Sequence, residues 1–301
     1  MAKGDVHSID AVADGYYVDV GLYDRPRYGA VYIYDTERPA VIDTGLGTNY
    51  EYILDALEEL GIGREGLECI IPTHIHLDHA GGAGILAEKT GAEVYVHEFG
   101  VKHLVDPTRL WEGTKESVGE RIQFYTEPEP IPEERITALE GGDRIDLGET
   151  TLAVHHAPGH AFHQAIFHDA DEEVVFAADA AGIYVPELDR VVETSPPPSF
   201  DLEGVIEDAR MIEDLDPETI CYAHFGPVPA DGRIDEYVEA SERWVAMIER
   251  ARAELDDEDA IVERAVERSD TPSVWGEHSA AMEIRMNVQG AIRYLEERSN
   301  A

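Results

Sequence analysis

The chain has 301 residues, of which 43% are hydrophobic, and its 64 acidic and 23 basic residues give a formal net charge of −41 at pH 7. The hydrophobic content and the clear periodic segments exclude a disordered acidic protein, and the lack of basic clusters disfavours a nucleic-acid groove. No apolar stretch approaches the ~20 residues of a membrane span, and the N-terminus lacks the apolar core of a signal peptide, so we expect a cytoplasmic protein with no membrane partner.

The first half of the sequence alternates strand-like runs with helical segments. The short apolar runs that predict strands lie at 29–34, 39–45, 67–74 and 92–98. Residues 49–61 carry apolar residues at helical spacing and end in glycine, which predicts a helix, and the small residues of 80–90 predict the start of another. Residues 106–135, with several prolines and one helical segment, are predicted to be an insertion.

The second half begins with further strand-like runs and ends in helices. The runs are ITALE, RIDL, TTLAVHHA, QAIFHD and EEVVFAAD, followed by a helix at 201–213 and a strand at 219–224. From Ile234 onward apolar residues recur at three- and four-residue steps, which predicts amphipathic helices to the end of the chain. Two β-rich halves with flanking helices predict an α/β fold in which two sheets pack face to face with helices outside, a four-layer sandwich. We expect a catalytic domain over residues 1–230 and a helical extension over 231–301 that is a lid or a homodimer interface.

Residues 72–82 read PTHIHLDHAGG and place four potential metal ligands within six positions, just after an apolar run. Two imidazoles one residue apart, His74 and His76, can face one metal ion, while the pair Asp78 and His79 points to an adjoining position. A solvated histidine-rich turn is the alternative interpretation. Because ligands in layered α/β folds gather on loops that leave the ends of strands, this position favours a metal site.

Three further candidates each follow a strand-like run and precede small residues or a turn. They are His160 in APGHAF, Asp179 in VVFAADAAG and His224 in YAHFGP. A lone histidine at the end of a strand is more often structural, but together with residues 74–79 these three supply seven nitrogen and oxygen ligands. Seven ligands are enough for two metal ions that share a carboxylate.

The motifs THIHLDH, APGH, FAAD and AHFGP, in this order and spacing, resemble those of the metallo-β-lactamase-fold hydrolases, and most closely those of their glyoxalase-II-like branch. The resemblance covers residues 15–230 and implies an αββα sandwich with a dinuclear metal site at one edge. The chain keeps Asp78 and Asp179 where true β-lactamases often differ, so lactam hydrolysis is not the expected main activity.

The resemblance also implies a role for each ligand. The implied set has one group for each ion and one shared residue: His74, His76 and His160; Asp78, His79 and His224; and Asp179 as the bridge. Asp43 in VIDTG matches a family position whose carboxylate supports the histidine loop. Zinc is the expected metal, although iron or manganese accept the same ligand types.

These ligands imply hydrolysis of a small ester-like substrate, a thioester or a lactone, by a hydroxide held between two divalent ions. Asp78 is the expected catalytic residue that accepts or relays a proton. No serine elbow or papain-like cysteine context offers another nucleophile. In this branch the substrate is set by loops and C-terminal helices, here residues 182–200 and the region after Asp231, and neither contains a thiol-cofactor signature.

Three other functions remain open from the sequence alone. A mononuclear iron persulfide dioxygenase of this superfamily would use only the positions matching His74, His160 and Asp179. A phosphodiesterase or nuclease is disfavoured by the lack of basic clusters. A non-catalytic metal-binding or redox module is disfavoured by the intact ligand set.

The other histidines are predicted to lie outside the ligand set. His163, three residues after His160, either contacts substrate, orients a ligand or is satisfied in the core. One of the neighbouring pair His155 and His156 is expected to face the site, because successive residues of a strand alternate. The histidines predicted to have no functional role are His7, His97, His103, His168 and His278.

The remaining expectations concern the cysteines and the charge. Cys69 and Cys221 each lie inside an apolar run and are predicted to be buried free thiols. At molar salt the Debye length falls to about 3 Å and screens the self-repulsion of a highly acidic chain. The charge therefore predicts a protein adapted to the salty cytoplasm of a halophile.

Overall fold

The computed structural model describes residues 1–300. Its strands are β1 (Val6–Ser8), β2 (Gly15–Asp19), β3 (Ala30–Tyr34), β4 (Ala40–Ile42), β5 (Cys69–Ile71), β6 (Glu93–His97), β7 (Ile136–Leu139), β8 (Arg144–Asp146), β9 (Thr151–His156), β10 (Ala165–Asp169), β11 (Val174–Phe176), β12 (Ile183–Val185), β13 (Arg190–Val192), β14 (Thr219–Tyr222) and β15 (Gly226–Pro229). Its α-helices are α1 (Tyr50–Glu59), α2 (Leu77–Ala80), α3 (Ala83–Thr90), α4 (Glu98–Val105), α5 (Thr108–Val118), α6 (Leu202–Asp214), α7 (Arg233–Glu254), α8 (Glu258–Arg268), α9 (Pro272–Trp275) and α10 (Glu277–Asn300).

Two sheets form the centre of the molecule. The first has the strand order β1-β2-β3-β4-β5-β6-β7, the second has the order β15-β14-β11-β10-β9-β8, and β12 and β13 form a separate hairpin. The pair β4 and β5 runs parallel in the first sheet, and the pair β11 and β14 runs parallel in the second. The carboxyl ends of these four strands carry most of the predicted ligands.

Strand β3 shows why the sheets are covered on both faces. Tyr32 and Tyr34 belong to the core between the two sheets, whereas Val31 and Ile33 belong to the core that packs under the helices. All four side chains are at most 2% exposed, and a strand buried on both faces has the continuous apolar sequence seen here. The four-layer αββα sandwich predicted from the sequence is confirmed.

The two cysteines are free, and both lie in the core between the sheets. Cys69 and Cys221 are each 0% exposed, which confirms the prediction of buried thiols. Burial raises the pKa of the Cys69 thiol to about 11, so this thiol stays protonated and unreactive near neutral pH.

The segment from Ile234 to Asn300 is largely helical, as its periodicity predicts, and divides into α7, α8, α9 and α10. The apolar stripe of α7 is buried, and the acidic residues around the junction of α7 and α8 are mostly exposed, as expected for a helix end and linker. No helix within residues 1–300 is long and apolar enough to cross a membrane.

Candidate metal centre

The histidine motif occupies the turn that follows β5. His74 lies three residues beyond the strand, His76 is the N-terminal cap of α2, and Asp78 and His79 lie in the single turn of this helix. Gly82, just beyond α2, allows close packing, because a Cβ there would lie 2.7 Å from the backbone oxygen of Thr44. The tight turn therefore brings all four potential ligands to one edge of the first sheet.

Three imidazoles meet at the first predicted ion position. His76 Nδ1 lies 2.9 Å from His74 Nε2 and 3.1 Å from His160 Nε2. Nitrogen ligands around a tetrahedral zinc ion stand about 3.3 Å apart, given Zn–N distances of about 2.0–2.1 Å. The three ring nitrogens are therefore spaced and aimed as ligands of one ion, and these residues form one of the groups able to hold a metal.

A second group forms beside the first from Asp78, His79 and His224. Asp78 Oδ2 lies 3.7 Å from His224 Nε2 and 4.0 Å from His79 Nε2. The Asp78 side chain is 24% exposed and faces a cavity, whereas both imidazoles are buried. This group has the nitrogen and oxygen donors that a divalent metal ion accepts.

Asp179 lies between the two groups. Its Oδ2 is 3.2 Å from His160 Nε2 and 3.5 Å from His79 Nε2, and its Oδ1 is 3.6 Å from His224 Nε2. Within residues 1–300, Asp179 Oδ1 and His79 Nε2 are buried without a hydrogen-bond partner. Buried polar atoms are normally satisfied, so two such atoms aimed at the same space fit a bound cation.

The pKa values indicate neutral imidazoles around an ionised carboxylate. Burial lowers the pKa of His74 well below its usual range, helped by the neighbouring imidazoles, and burial lowers that of His160 to about 3 although Asp179 opposes it. Burial alone would raise the pKa of Asp179, but His160, His79 and His224 outweigh it and the pKa falls well below the ordinary value. Metal ligands must be deprotonated in this way.

His79 differs from the other histidines because carboxylates surround it. Burial lowers its pKa, but Asp179, Asp43 and Asp78 together outweigh burial and raise the pKa well above the usual value. A protonated His79 would balance the carboxylates in the absence of metal. A divalent cation supplies the same positive charge and displaces the proton.

Asp43 orients the histidine turn from behind. Its Oδ1 accepts hydrogen bonds of 2.8 Å from the backbone N–H and the hydroxyl of Thr73, and its Oδ2 lies 2.9 Å from His79 Nδ1. Asp43 is 3% exposed and follows β4 with a positive φ of 61°. A carboxylate on Nδ1 fixes the imidazole so that Nε2 is free to bind.

His224 is oriented by a residue that the sequence did not identify. Its Nδ1 donates to the backbone oxygen of Tyr28 at 2.9 Å, and the two rings lie 5.5 Å apart. The Tyr28 hydroxyl in turn donates to Glu283 on α10 at 3.1 Å. No motif marks Tyr28 or Glu283, because they are 255 positions apart and meet only in the folded chain.

The other histidines divide between the site and the rest of the fold. His163 is 5% exposed, its ring stacks on His74 at 5.9 Å, and it lines the cavity beside the metal centre. His156 stacks on His97 at 4.1 Å, and His155 lies against His168. Within residues 1–300, neither belongs to a group able to hold a metal ion. His103, predicted to have no role, also lines the cavity.

A cavity of about 290 Å³ opens directly beside the two groups of ligands. Asp78, His160, Asp179 and His224 form part of its wall. The C-terminal helix α10 contributes Glu283 and Met286 to the rest of the wall, and α5 contributes further side chains. A small substrate in this cavity would therefore contact the metal centre.

Comparison with known proteins agrees with this architecture. A sequence model described as the Metallo-beta-lactamase superfamily matches residues 24–224. The Metallo-beta-lactamase fold-containing protein ST1585 of Sulfurisphaera tokodaii is 26% identical over 220 residues, which cover 70% of this chain and 78% of that protein. The crystal structure of ST1585 superposes with a TM-score of 0.72 at 21% identity and covers 93% of this chain and 99% of that one.

Two relatives have names that describe an activity. Acyl-coenzyme A thioesterase MBLAC2 of Bos taurus is 26% identical over 195 residues, 60% of this chain and 68% of that protein. Hydroxyacylglutathione hydrolase of Hyphomonas neptunium is 27% identical over 214 residues, 67% of this chain and 69% of that protein.

Proposed function

The chain belongs to the metallo-beta-lactamase superfamily, and from this premise we propose that it is a dinuclear metal-dependent hydrolase of a small thioester or lactone. The observation that supports this proposal most directly is the position of Asp179 between two complete ligand groups. The relatives named acyl-coenzyme A thioesterase and hydroxyacylglutathione hydrolase favour a thioester, and they support placement in the glyoxalase-II-like branch.

We propose that His74, His76 and His160 hold one divalent ion, that Asp78, His79 and His224 hold the other, and that Asp179 contacts both. Zinc is the proposed metal because imidazoles dominate the donor set. When bound, two such ions supply an activated water and polarise the bond under attack.

The residues of the chain would perform the remaining steps. Asp78 is partly exposed and lines the cavity, so it can accept a proton from the incoming water and pass it to the leaving group. Asp43 and the backbone of Tyr28 hold His79 and His224 in their ligating orientation. The apolar cavity wall excludes bulk water and strengthens the electrostatic interactions inside.

The helical segment 231–301 is proposed to close the cavity as a lid. The support for this is that Glu283 and Met286 of α10 line the same cavity as the metal centre. A homodimer interface on the outer face of the same helices is compatible with this role. We further propose a cytoplasmic protein of a high-salt organism, on the basis of the net charge of −41.

The experiment that tests this function removes His224, which belongs only to the second group of ligands. Metal stoichiometry, thioester hydrolysis and persulfide-dependent oxygen consumption are measured for wild type, His224→Ala and the exposed control His278→Ala. A dinuclear hydrolase should hold two ions per chain. In His224→Ala the metal content should fall towards one ion, and the rate of thioester hydrolysis should fall by more than the 10–100-fold typical of losing a residue that only orients a ligand. The control should behave as wild type.

A different outcome would favour another enzyme. If wild type holds a single iron, consumes oxygen with persulfide and is barely affected by His224→Ala, the hydrolase proposal is wrong and the mononuclear dioxygenase takes its place. In that case His74, His160 and Asp179 alone would hold the iron.

A further inference from the structure

A second cavity, of about 270 Å³, lies among strand β13 and the C-terminal helices. Its lining residues come mainly from β13, α7, α8, α9 and α10, and none of the seven candidate metal ligands is among them. Glu283 of α10 lines both this cavity and the one beside the metal centre. The volume is slightly below the ~300–1,000 Å³ typical of ligand sites, so a ligand of this second cavity would be small.

The second cavity has an aromatic and apolar part. Trp244 of α7 and Trp275 of α9 line it, and both side chains are largely buried in the fold. Val191 and Ile284, which are also buried, extend this apolar surface. The indole N–H of Trp244 is already satisfied, because it donates to Ser195 Oγ at 3.0 Å. The two tryptophan rings are therefore available for contact with an apolar group.

A carboxyl group without a counter-ion also lies at the second cavity. Glu193 follows β13 and lines the cavity, and it forms no ion pair within residues 1–300, since the neighbouring Arg243 pairs with Glu239 instead. Burial raises the pKa of Glu193 to about 7, and Glu283 adds to the rise, while the backbone N–H of Glu193 and the charge of Arg243 oppose it. Because a buried carboxylate is stabilised by a positive partner, Glu193 favours a ligand with an ammonium group.

Arg243 places the opposite charge at the same cavity. It lies close enough to Glu193 to affect the pKa of that group, but its ion pair is with Glu239, at 2.9 Å. The Arg243 and Glu239 side chains are 65% and 67% exposed, and such exposed pairs are weak. The guanidinium of Arg243 is therefore able to bind the carboxylate of a ligand.

A buried amide adds a third polar group. Asn287 of α10 is 3% exposed and lines the second cavity, and its Oδ1 accepts a 2.8 Å hydrogen bond from the backbone N–H of Ser195. This bond assigns the amide orientation and leaves Asn287 Nδ2 without an acceptor among residues 1–300. Buried amide groups are normally hydrogen-bonded, so Nδ2 favours a ligand with an oxygen acceptor.

We propose that the second cavity binds a free α-amino acid with an apolar side chain: its ammonium group lies at Glu193, its carboxylate at Arg243 and Asn287, and its side chain against Trp244 and Trp275. An α-amino acid carries both charged groups on one carbon atom, which matches an acid and a base that lie close together without pairing. A simple amine would leave Arg243 and Asn287 unused, and a fatty acid would bring a second carboxylate to Glu193. This site is separate from the metal centre and does not depend on the proposed hydrolysis.

The test measures the binding of L-leucine, L-methionine and L-phenylalanine to the metal-loaded protein by isothermal titration calorimetry at one KCl concentration. The amino acid that binds most tightly is compared with two analogues, one without the carboxylate and one without the ammonium group. For L-leucine these are isoamylamine and 4-methylpentanoate. The variants are Glu193→Gln and Arg243→Gln, and the control Arg250→Gln removes an exposed arginine of α7 that does not line the cavity. The melting temperature of each variant verifies that it is folded.

Glu193→Gln and Arg243→Gln should each weaken the binding of the amino acid by about tenfold or more, as expected for the loss of a hydrogen bond to a charged group. Arg250→Gln should bind as wild type does. Both analogues should bind wild type at least about tenfold more weakly than the amino acid, because each lacks one of the two charge-assisted contacts.

Three results would overturn the inference. The first is that none of the three amino acids binds, and the second is that both variants bind as tightly as wild type. The third is that an analogue binds as tightly as the amino acid: isoamylamine would identify a site for amines, and 4-methylpentanoate a site for carboxylates.

Amino acids also coordinate metal ions, so the titration is repeated after a chelator has removed the metal. Equal affinity with and without metal would support a site away from the metal centre, as the lining of the second cavity implies. Loss of binding from a metal-free protein that circular dichroism shows to be folded would place the amino acid on the metal ions, and the inference would then be wrong.

Discussion

At the scale of single residues, Asp179 has the most connected position in the metal centre, because its carboxylate faces His79, His160 and His224. We predict that Asp179→Ala costs more activity than any other single ligand substitution. Its loss would remove the contact shared by both groups and leave excess positive charge in the site. Metal content and thioester turnover should fall together, and retention of two ions with most of the activity would show that Asp179 does not bridge them.

Asp43 acts on the metal centre through His79 rather than by direct contact. In Asp43→Asn the amide oxygen can still accept from Thr73, but the amide nitrogen would face His79 Nδ1. This favours the tautomer that protonates Nε2, the nitrogen needed for the metal. We predict a 10–100-fold loss of metal affinity, measured by metal titration.

The matched control for Asp43→Asn is Asp55→Asn, which removes an exposed carboxylate of α1. It should bind metal as wild type does. Equal affinity in Asp43→Asn and wild type would show that the carboxylate does not set the tautomer of His79.

Asp208 predicts a pH dependence of stability. It is 5% exposed on α6 and accepts a 2.6 Å hydrogen bond from the backbone N–H of Gly159, and burial raises its pKa from 3.8 to about 7. The folded state therefore binds this proton more tightly than the unfolded chain. The contribution of Asp208 to the free energy of unfolding, about 4 kcal/mol, is therefore fully present below about pH 4 and is lost as the pH rises to about 7.

The neutral variant Asp208→Asn keeps the acceptor for Gly159 and removes the titration. Its free energy of unfolding should exceed that of wild type by a margin that grows from pH 4 to pH 8, as measured by urea denaturation at each pH. Asp214→Asn, at an exposed position of the same helix, should show no such trend. A constant difference between Asp208→Asn and wild type across this range would rule out the buried protonated carboxyl.

At the scale of elements, a buried ion pair connects the insertion to the C-terminal helices. Arg121, in the short helical turn after α5, pairs with Glu283 of α10, and their side chains are 5% and 7% exposed. We predict that Arg121→Met destabilises the fold by about 3–5 kcal/mol, because it leaves the buried Glu283 carboxylate without a positive charge beside it. The double variant Arg121→Met/Glu283→Gln should recover most of this loss, as measured by chemical denaturation.

An exposed pair on α7 provides the comparison. Arg243 and Glu239 are 65% and 67% exposed, so Arg243→Met should cost at most about 1 kcal/mol. Similar losses in Arg121→Met and Arg243→Met would mean that the buried pair is solvated in solution.

The elements that could be predicted are those that show a period or lie within a continuous apolar run. Helix α1 and strands β3 and β10 carry such patterns. Strands β12 and β13 were not predicted, because Pro186 and charged residues interrupt the segment that holds them, whereas the equally short β4 and β5 lie within longer apolar runs. Helix α4 was also missed, since it follows β6 without a break and contains Gly100, whose Cβ would lie 2.8 Å from Ile75.

At the scale of the whole molecule, the clustering of the candidate metal-centre residues was predictable because they lie at strand ends within readable motifs. His74, His160, Asp179 and His224 come together since the strands before them end at one edge of the sandwich. The rest of the cavity wall was not predictable in the same way. Arg109 belongs to the insertion, outside the two segments in which the sequence predicts substrate selection, and only tertiary packing brings it to the cavity.

The whole-molecule property that the sequence expresses most strongly is its charge of −41, and it leads to the last prediction. The Debye length falls from about 8 Å at physiological ionic strength to about 3 Å in molar salt, so KCl should screen the repulsion among surface carboxylates. We predict that the melting temperature, followed by circular dichroism, rises by about 10 °C or more between 0.15 and 2 M KCl. Sucrose, which stabilises proteins without screening charge, is the control. If KCl has no effect, or none beyond that of sucrose, the charge does not reflect adaptation to a salty cytoplasm.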